Sequence, residues 1–176
     1  MKIYKCLILI LFIVSLIPFK ATAQIDRVLE TGIVEFEGEY ALPASVGHVN
    51  DFEGILSFNQ IMDLEKIISD YEKETTREIA VITVESIGPF DHITEYASDR
   101  SKHGPVGNPD GNNGLTIVIS CTLQKIRISA DYGTEQVLTN EICNRIIDDV
   151  MIPELKKGNY YSGIEKGVLE LIKNWE

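Results

Sequence analysis

Between residues 108 and 114 the chain reads Asn-Pro-Asp-Gly-Asn-Asn-Gly, which sets side-chain oxygens at alternating positions. Hard cations such as Ca²⁺ or Mg²⁺ are held by oxygen ligands of this kind. Asp110, Asn112 and Asn113 are therefore candidate metal ligands. A complete EF-hand loop is excluded, because Asn108 stands where the first Asp belongs and Ile119 where the bidentate Glu belongs. The same residues also suit a tight turn without a ligand, since Asn, Asp and Gly tolerate left-handed backbone. Two further acidic positions flank predicted elements: Asp51, just before the first predicted helix, and the Asp131-Tyr132-Gly133-x-Glu135 turn. Each carboxylate alone serves a cap or a turn. Gathered at one sheet edge they would repel one another unless a cation or an Arg intervened.

Other chemistries lack their residues. The sequence contains no Gly-x-Ser-x-Gly elbow, no Walker A loop, no His-Glu-x-x-His and no Cys-x-x-Cys. Its three histidines are not at metal-ligand spacing. Lys102-His103-Gly104 is similar to the Arg-His-Gly of histidine phosphatases, but Lys replaces the essential Arg and the downstream Arg is missing. Asp148-Asp149, near a helix C-terminus, reads as a solvated face. Of the cysteines, Cys121 and Cys143 lie in a predicted strand and helix and are read as buried free thiols, although an exported compartment would permit a disulfide.

The elements that must position these groups follow from periodicity. Ser57 with Gln60 forms a capping box, and Ile61, Leu64, Ile67, Ile68 and Tyr71 make one apolar helical stripe. Glu78–Glu85 is a short β-branched strand. Asp91 is placed to cap a second helix with Ile93, Tyr96 and Ala97 inward. A Gly- and Pro-rich loop over 102–113 precedes a hairpin of Leu115–Cys121 and Lys125–Ala130. Thr139 opens a third helix, and Ser162 with Glu165 is read as the cap of a fourth, carrying Ile164, Val168, Leu171, Ile172 and Trp175. The order α-β-α-β-β-α-α implies an α/β class, a three-layer α/β/α sandwich around a small mixed sheet. Asp51, the 103–113 loop and Asp131–Glu135 are expected at one edge of that sheet.

The 176 residues suit one such domain with appendages. Residues 1–23 have the layout of a signal peptide: Lys2 and Lys5, an apolar run from Leu7 to Ile17, and Ala21-Thr22-Ala23. That run is too short to span a bilayer core of ~30 Å as a helix. Residues 24–48 read as an acidic arm or linker, and 49–176 as the folded domain. The chain carries a net charge of −11; losing Lys2, Lys5 and Lys20 leaves 13 basic against 27 acidic residues, or −14. Such a charge excludes nucleic acid as a partner and favours divalent cations or basic partners.

Val49-Asn50-Asp51-Phe52-x-Gly54-Ile55-Leu56-Ser57 resembles the opening V-x-D-x-A-G-x-L-S of the TPM domain family. Glu72-x-x-Thr75, Asn112-Asn113-Gly114, Asp131-Tyr132-Gly133-x-Glu135, Pro153 and Gly158-x-Tyr160 extend the resemblance over residues 42–173. It implies an α/β/α sandwich and export or membrane association, as in bacterial envelope proteins and a plant thylakoid-lumen relative. Divalent-cation binding is ascribed to several members and acid phosphatase activity to the plant branch. Carried onto this chain, the resemblance makes Asp51, Asn113 and Glu135 site residues. Asp131 replaces the first Gly of the family's Gly-Tyr-Gly turn, and Glu53 a small residue. No transmembrane helix or Gly-rich tail follows Trp175, so no stable membrane anchor is expected after signal cleavage. The expectation is an exported, periplasmic or secreted domain that binds Ca²⁺ or Mg²⁺ and interacts with envelope or membrane proteins; the alternative is a metal-dependent phosphomonoester hydrolase.

Overall fold

The computed structural model describes residues 45–103 and 113–175. The signal-like segment, the arm up to residue 44, Asp110 and Asn112 lie outside the described residues. Helix α1, Phe58–Thr75, begins as expected: the Ser57 hydroxyl accepts from the Gln60 N–H while Gln60 returns a bond to the Ser57 N–H. Its stripe buries Leu64, Ile68 and Tyr71, and Thr76 ends it in the left-handed conformation.

Four strands form one sheet in the order β1-β2-β3-β4: Val49–Asp51, Glu78–Thr83, Gly114–Ser120 and Lys125–Ala130. The first three are parallel and β4 returns antiparallel, so the sheet is mixed. β1 was not expected. It is three residues long, with no alternation to betray it, and it exists because its backbone adds to β2 at Val49↔Val81 and Asp51↔Thr83.

Strand alternation divides the core. Ile79, Val81, Leu115, Ile117, Ile119 and Ile128 face α1 and the C-terminal helices, with Trp175 closing that layer against Tyr71. Ile82 and Val118 face the other way, against Tyr96 and Ala97 of helix α2, Ile93–His103. Helices therefore cover both faces, giving the three layers.

Several boundaries differ from expectation. α2 opens after His92, whose carbonyl takes the Tyr96 N–H, and not at Asp91. A single turn, α3, Tyr132–Glu135, follows β4. Thr139 caps α4, Asn140–Ile146, which runs through a wide π turn, Ile147–Met151, into α5, Ile152–Leu155. Pro153 lies in the first turn of α5, where its missing N–H is tolerated. Ser162 lies inside the last helix, α6, Tyr160–Trp175; the first intrahelical bond runs from Gly163 N–H to the Asn159 carbonyl, so Asn159 holds the cap position.

Candidate functional site

The sequence-predicted residues fall on opposite edges of the sheet. Asp51 ends β1 level with Thr83, at the C-terminal edge of the parallel strands. Asn113 and Asp131 flank Gly114, which is level with Glu78 at the N-terminal edge. Five residues of strand separate these levels, about 16 Å at ~3.3 Å per residue. The common edge expected for Asp51 and Asp131 is not formed, because β3 and β4 run antiparallel and return Asp131 to the start of β3.

At the C-terminal edge the Asp51 carboxylate accepts three hydrogen bonds. It accepts from the Ile55 N–H at 3.2 Å and the Leu56 N–H at 2.8 Å, and the Thr83 hydroxyl donates to the same group. These bonds pin the turn at Gly54, whose φ of +69° is one that L side chains rarely adopt. Thr83 in turn accepts from the Glu53 N–H at 3.1 Å. Glu53, the departure from the family pattern, accepts from the Cys121 N–H (2.9 Å), the Thr122 N–H and the Thr122 hydroxyl (both 2.7 Å). Asp51, Thr83 and Glu53 thus lace β1, β2 and the β3–β4 hairpin together. No local pattern signals this, since 68 residues separate Glu53 from Cys121.

The N-terminal edge is built differently. Asp131 occupies the cap position of α3 without capping it: one carboxylate oxygen accepts from the Gly114 N–H at 3.0 Å and the other from the Ser101 hydroxyl at 2.9 Å. Each oxygen keeps a lone pair. Glu135 accepts from the Asn140 side-chain amide at 2.7 Å, and Asn140 accepts from Arg127 at 2.9 Å. Asn113 donates from its side-chain amide to the Thr76 carbonyl, while its buried Oδ1 has no hydrogen-bond partner among the described residues. A buried polar oxygen left unpaired costs about 1–3 kcal/mol. Among the described residues no three His, Cys, Asp or Glu side chains converge as a metal site.

A third cluster went unread in the sequence. His48 bonds Glu65 through Nδ1 at 2.9 Å and Glu72 through Nε2 at 2.7 Å, tying β1 to α1. Burial pulls the imidazole pKa down, but the two carboxylates outweigh it and the net shift is upward. Glu65 and Glu72 stand seven residues apart, two helical turns, and this spacing was the available signal. Glu65 also accepts from the Val49 N–H at 2.7 Å. Cys121 and Cys143 are free thiols, each pushed up to about 11 chiefly by burial.

The family model described as the TPM domain matches residues 49–174. The N-terminal domain of a protein from P. gingivalis, solved in solution, is 32% identical with a TM-score of 0.65, covering 72% of this chain and 80% of that one. Two others share the fold. The N-terminal domain of a Corynebacterium glutamicum protein is 12% identical, TM-score 0.57, covering 78% and 85%. The BA42 protein of Bizionia argentinensis is 19% identical, TM-score 0.57, covering 70% and 83%. No curated protein matches the chain.

Proposed function

The chain belongs to the TPM domain family, and from that premise we propose that it is an exported accessory module of the cell envelope. It binds Ca²⁺ or Mg²⁺ at the N-terminal edge of its sheet and engages envelope proteins. The observation that carries this reading is the buried Oδ1 of Asn113, which has no hydrogen-bond partner among the described residues. It is the oxygen a cation would complete, next to the Gly114 N–H that Asp131 holds. Asp131 has lone pairs to share, and the chain leading into Asn113 supplies Asp110 and Asn112. Asp51 suits the role less well: three donors, two of them backbone N–H groups, occupy its carboxylate and leave it one lone pair. Export rests on Lys2, Lys5, the apolar run and Ala21-Thr22-Ala23.

The hydrolase alternative needs a carboxylate free to act as base beside the bound cation. At the proposed cation edge Asp131 is the carboxylate that would have to take that part. The module reading is preferred because the sequence shows no nucleophile and base pair and a structural cation needs only oxygens. Turnover of p-nitrophenyl phosphate with 5 mM Ca²⁺ or Mg²⁺ separates the two. The module predicts no turnover, together with a melting temperature that rises with the cation and ceases to rise in Asn113→Ala. At a hundredfold excess over Kd a ligand adds about 2.7 kcal/mol, a shift of several degrees. Turnover lost in Asp131→Asn would establish the hydrolase instead, and the absence of any shift with either ion would remove the cation.

A further inference from the structure

At the C-terminal edge, opposite the proposed cation, a groove of about 480 Å³ opens between the hairpin and the turn after α5. Ile119, Ile126, Ile152 and Leu155 give it an apolar floor, and Lys125 and Lys156 stand on its rim. It meets a second groove of about 280 Å³ at Gly158 and Tyr160, which continues past Tyr161 to Ile55 and Gln60. α1, which contributes Gln60, leaves Phe58 and Met62 exposed one turn apart.

The charge here runs against the chain as a whole. The protein has 27 acidic residues and a net charge of −11, yet among the described residues neither groove is lined by an acidic one. Most described lysines are neutralised: Lys66 and Lys73 by Asp70, Lys157 and Lys166 by Glu154, Lys173 by Glu170. Lys125 and Lys156 carry no such pair among the described residues. Acids do stand beside the lining, Asp51 and Glu53 near Cys121 and Glu165 and Asp63 near Tyr161, but none of them pairs with Lys125 or Lys156 among the described residues. Glu53 serves Cys121 and Thr122, and Glu154 serves Lys157, Lys166 and Asn159.

We infer that this double groove is the docking site for an extended acidic segment of a partner protein, with apolar side chains on the isoleucine floor and carboxylates beside Lys125 and Lys156. Two unneutralised cations over an apolar trough match a peptide that alternates Asp or Glu with Leu or Phe. Two grooves whose linings share Gly158 and Tyr160 offer an extended chain contacts on both sides of that turn. The inference rests on reading the protein as an interaction module, but not on the cation, which belongs to the other edge.

The test is selection of displayed random heptapeptides on the full chain, followed by fluorescence polarisation of an enriched peptide. Enriched sequences should combine Asp or Glu with large apolar residues. Their affinity should fall about tenfold or more in Lys125→Glu/Lys156→Glu and persist in Lys125→Arg/Lys156→Arg. Both lysines are exposed, so the melting temperature should hold and report that the fold is intact. No enrichment, enrichment of basic or uncharged peptides, or equal binding by the Glu double variant would overturn the inference. Preferential binding of laurate or of phosphatidylglycerol vesicles would overturn the assignment to a protein partner. Failure here with an intact cation-dependent melting shift would strike the docking site alone; loss of that shift alone would strike the cation.

Discussion

The two edges of the sheet carry acidic residues of the same type in different states of use. At the C-terminal edge Asp51 and Glu53 accept six hydrogen bonds between them, four from backbone N–H groups, and act as tie points for β1 and the hairpin. At the N-terminal edge Asp131 accepts two, and the neighbouring Asn113 keeps a buried oxygen with no partner among the described residues. Three donors apiece, two of them backbone N–H groups, make Asp51 and Glu53 structural ties, whereas Asp131 has two lone pairs left. The acidic residue that opens the family motif therefore holds the fold, and the proposed cation site lies about 16 Å away across the sheet.

The largest effect expected from this contrast is in Asp51→Ala. It strips the Ile55 and Leu56 N–H groups of a charged acceptor, and urea unfolding should show a loss of about 3 kcal/mol, equal with and without Ca²⁺. A loss that vanished once Ca²⁺ was removed would make Asp51 a ligand and break the contrast. Asp131→Asn keeps an acceptor oxygen, so a loss of about 1 kcal/mol is expected without cation. The same variant should lose the cation-induced rise in melting temperature; an unchanged rise would place the cation elsewhere.

Glu53→Ala sharpens the contrast from the hairpin side. It should cost about 1–2 kcal/mol, speed amide exchange at Cys121 and Thr122, and leave the cation response untouched. Exchange at those amides matching wild type would deny Glu53 its role.

His48 adds a pH dependence at the start of β1. Its pKa is raised in the folded protein, so protonation favours the fold. The stabilisation is complete below the unfolded value near 6.5 and is lost as pH rises through the folded value. In His48→Gln the stability deficit, on the order of 1 kcal/mol, should accordingly shrink on going from pH 6 to pH 9. A deficit independent of pH would mean that the ring packs but does not pair as imidazolium. The smallest effect concerns Cys121 and Cys143. With both thiols held near 11, alkylation by iodoacetamide at pH 8 should be far slower in the folded chain than in urea. Equal rates would show that burial does not protect them.

Much of the scaffold was legible in the sequence, because it is written in local periodicity. The Ser57–Gln60 box, the α1 stripe, the hairpin and the Thr139 cap are patterns among residues close in the chain, and each appears where expected. What escaped depends on tertiary partners. β1 is a strand only because β2 lies beside it. The π turn at Ile147–Met151 sits inside a helix whose apolar spacing looks continuous. Ser162 and Glu165 have cap spacing, but the chain is already helical from Tyr160.

The site was read less completely for the same reason. Asn113 and Asp131 were singled out and do share an edge. Asp51 was grouped with them because the sequence did not reveal that the loops around it emerge at the other end of the strands. The bonds from Glu53 to the hairpin and from His48 to Glu65 and Glu72 span 68, 17 and 24 residues. No window-based pattern reaches that far.

The central claim is that the two edges differ in function, and a Ca²⁺ titration followed by residue-resolved NMR tests it most directly. Saturable shifts at Asn113, Gly114, Asp131 and Glu135, with Asp51, Ile55 and Leu56 unmoved, are the predicted result. Saturable shifts centred on Asp51, Ile55 and Leu56 would contradict it.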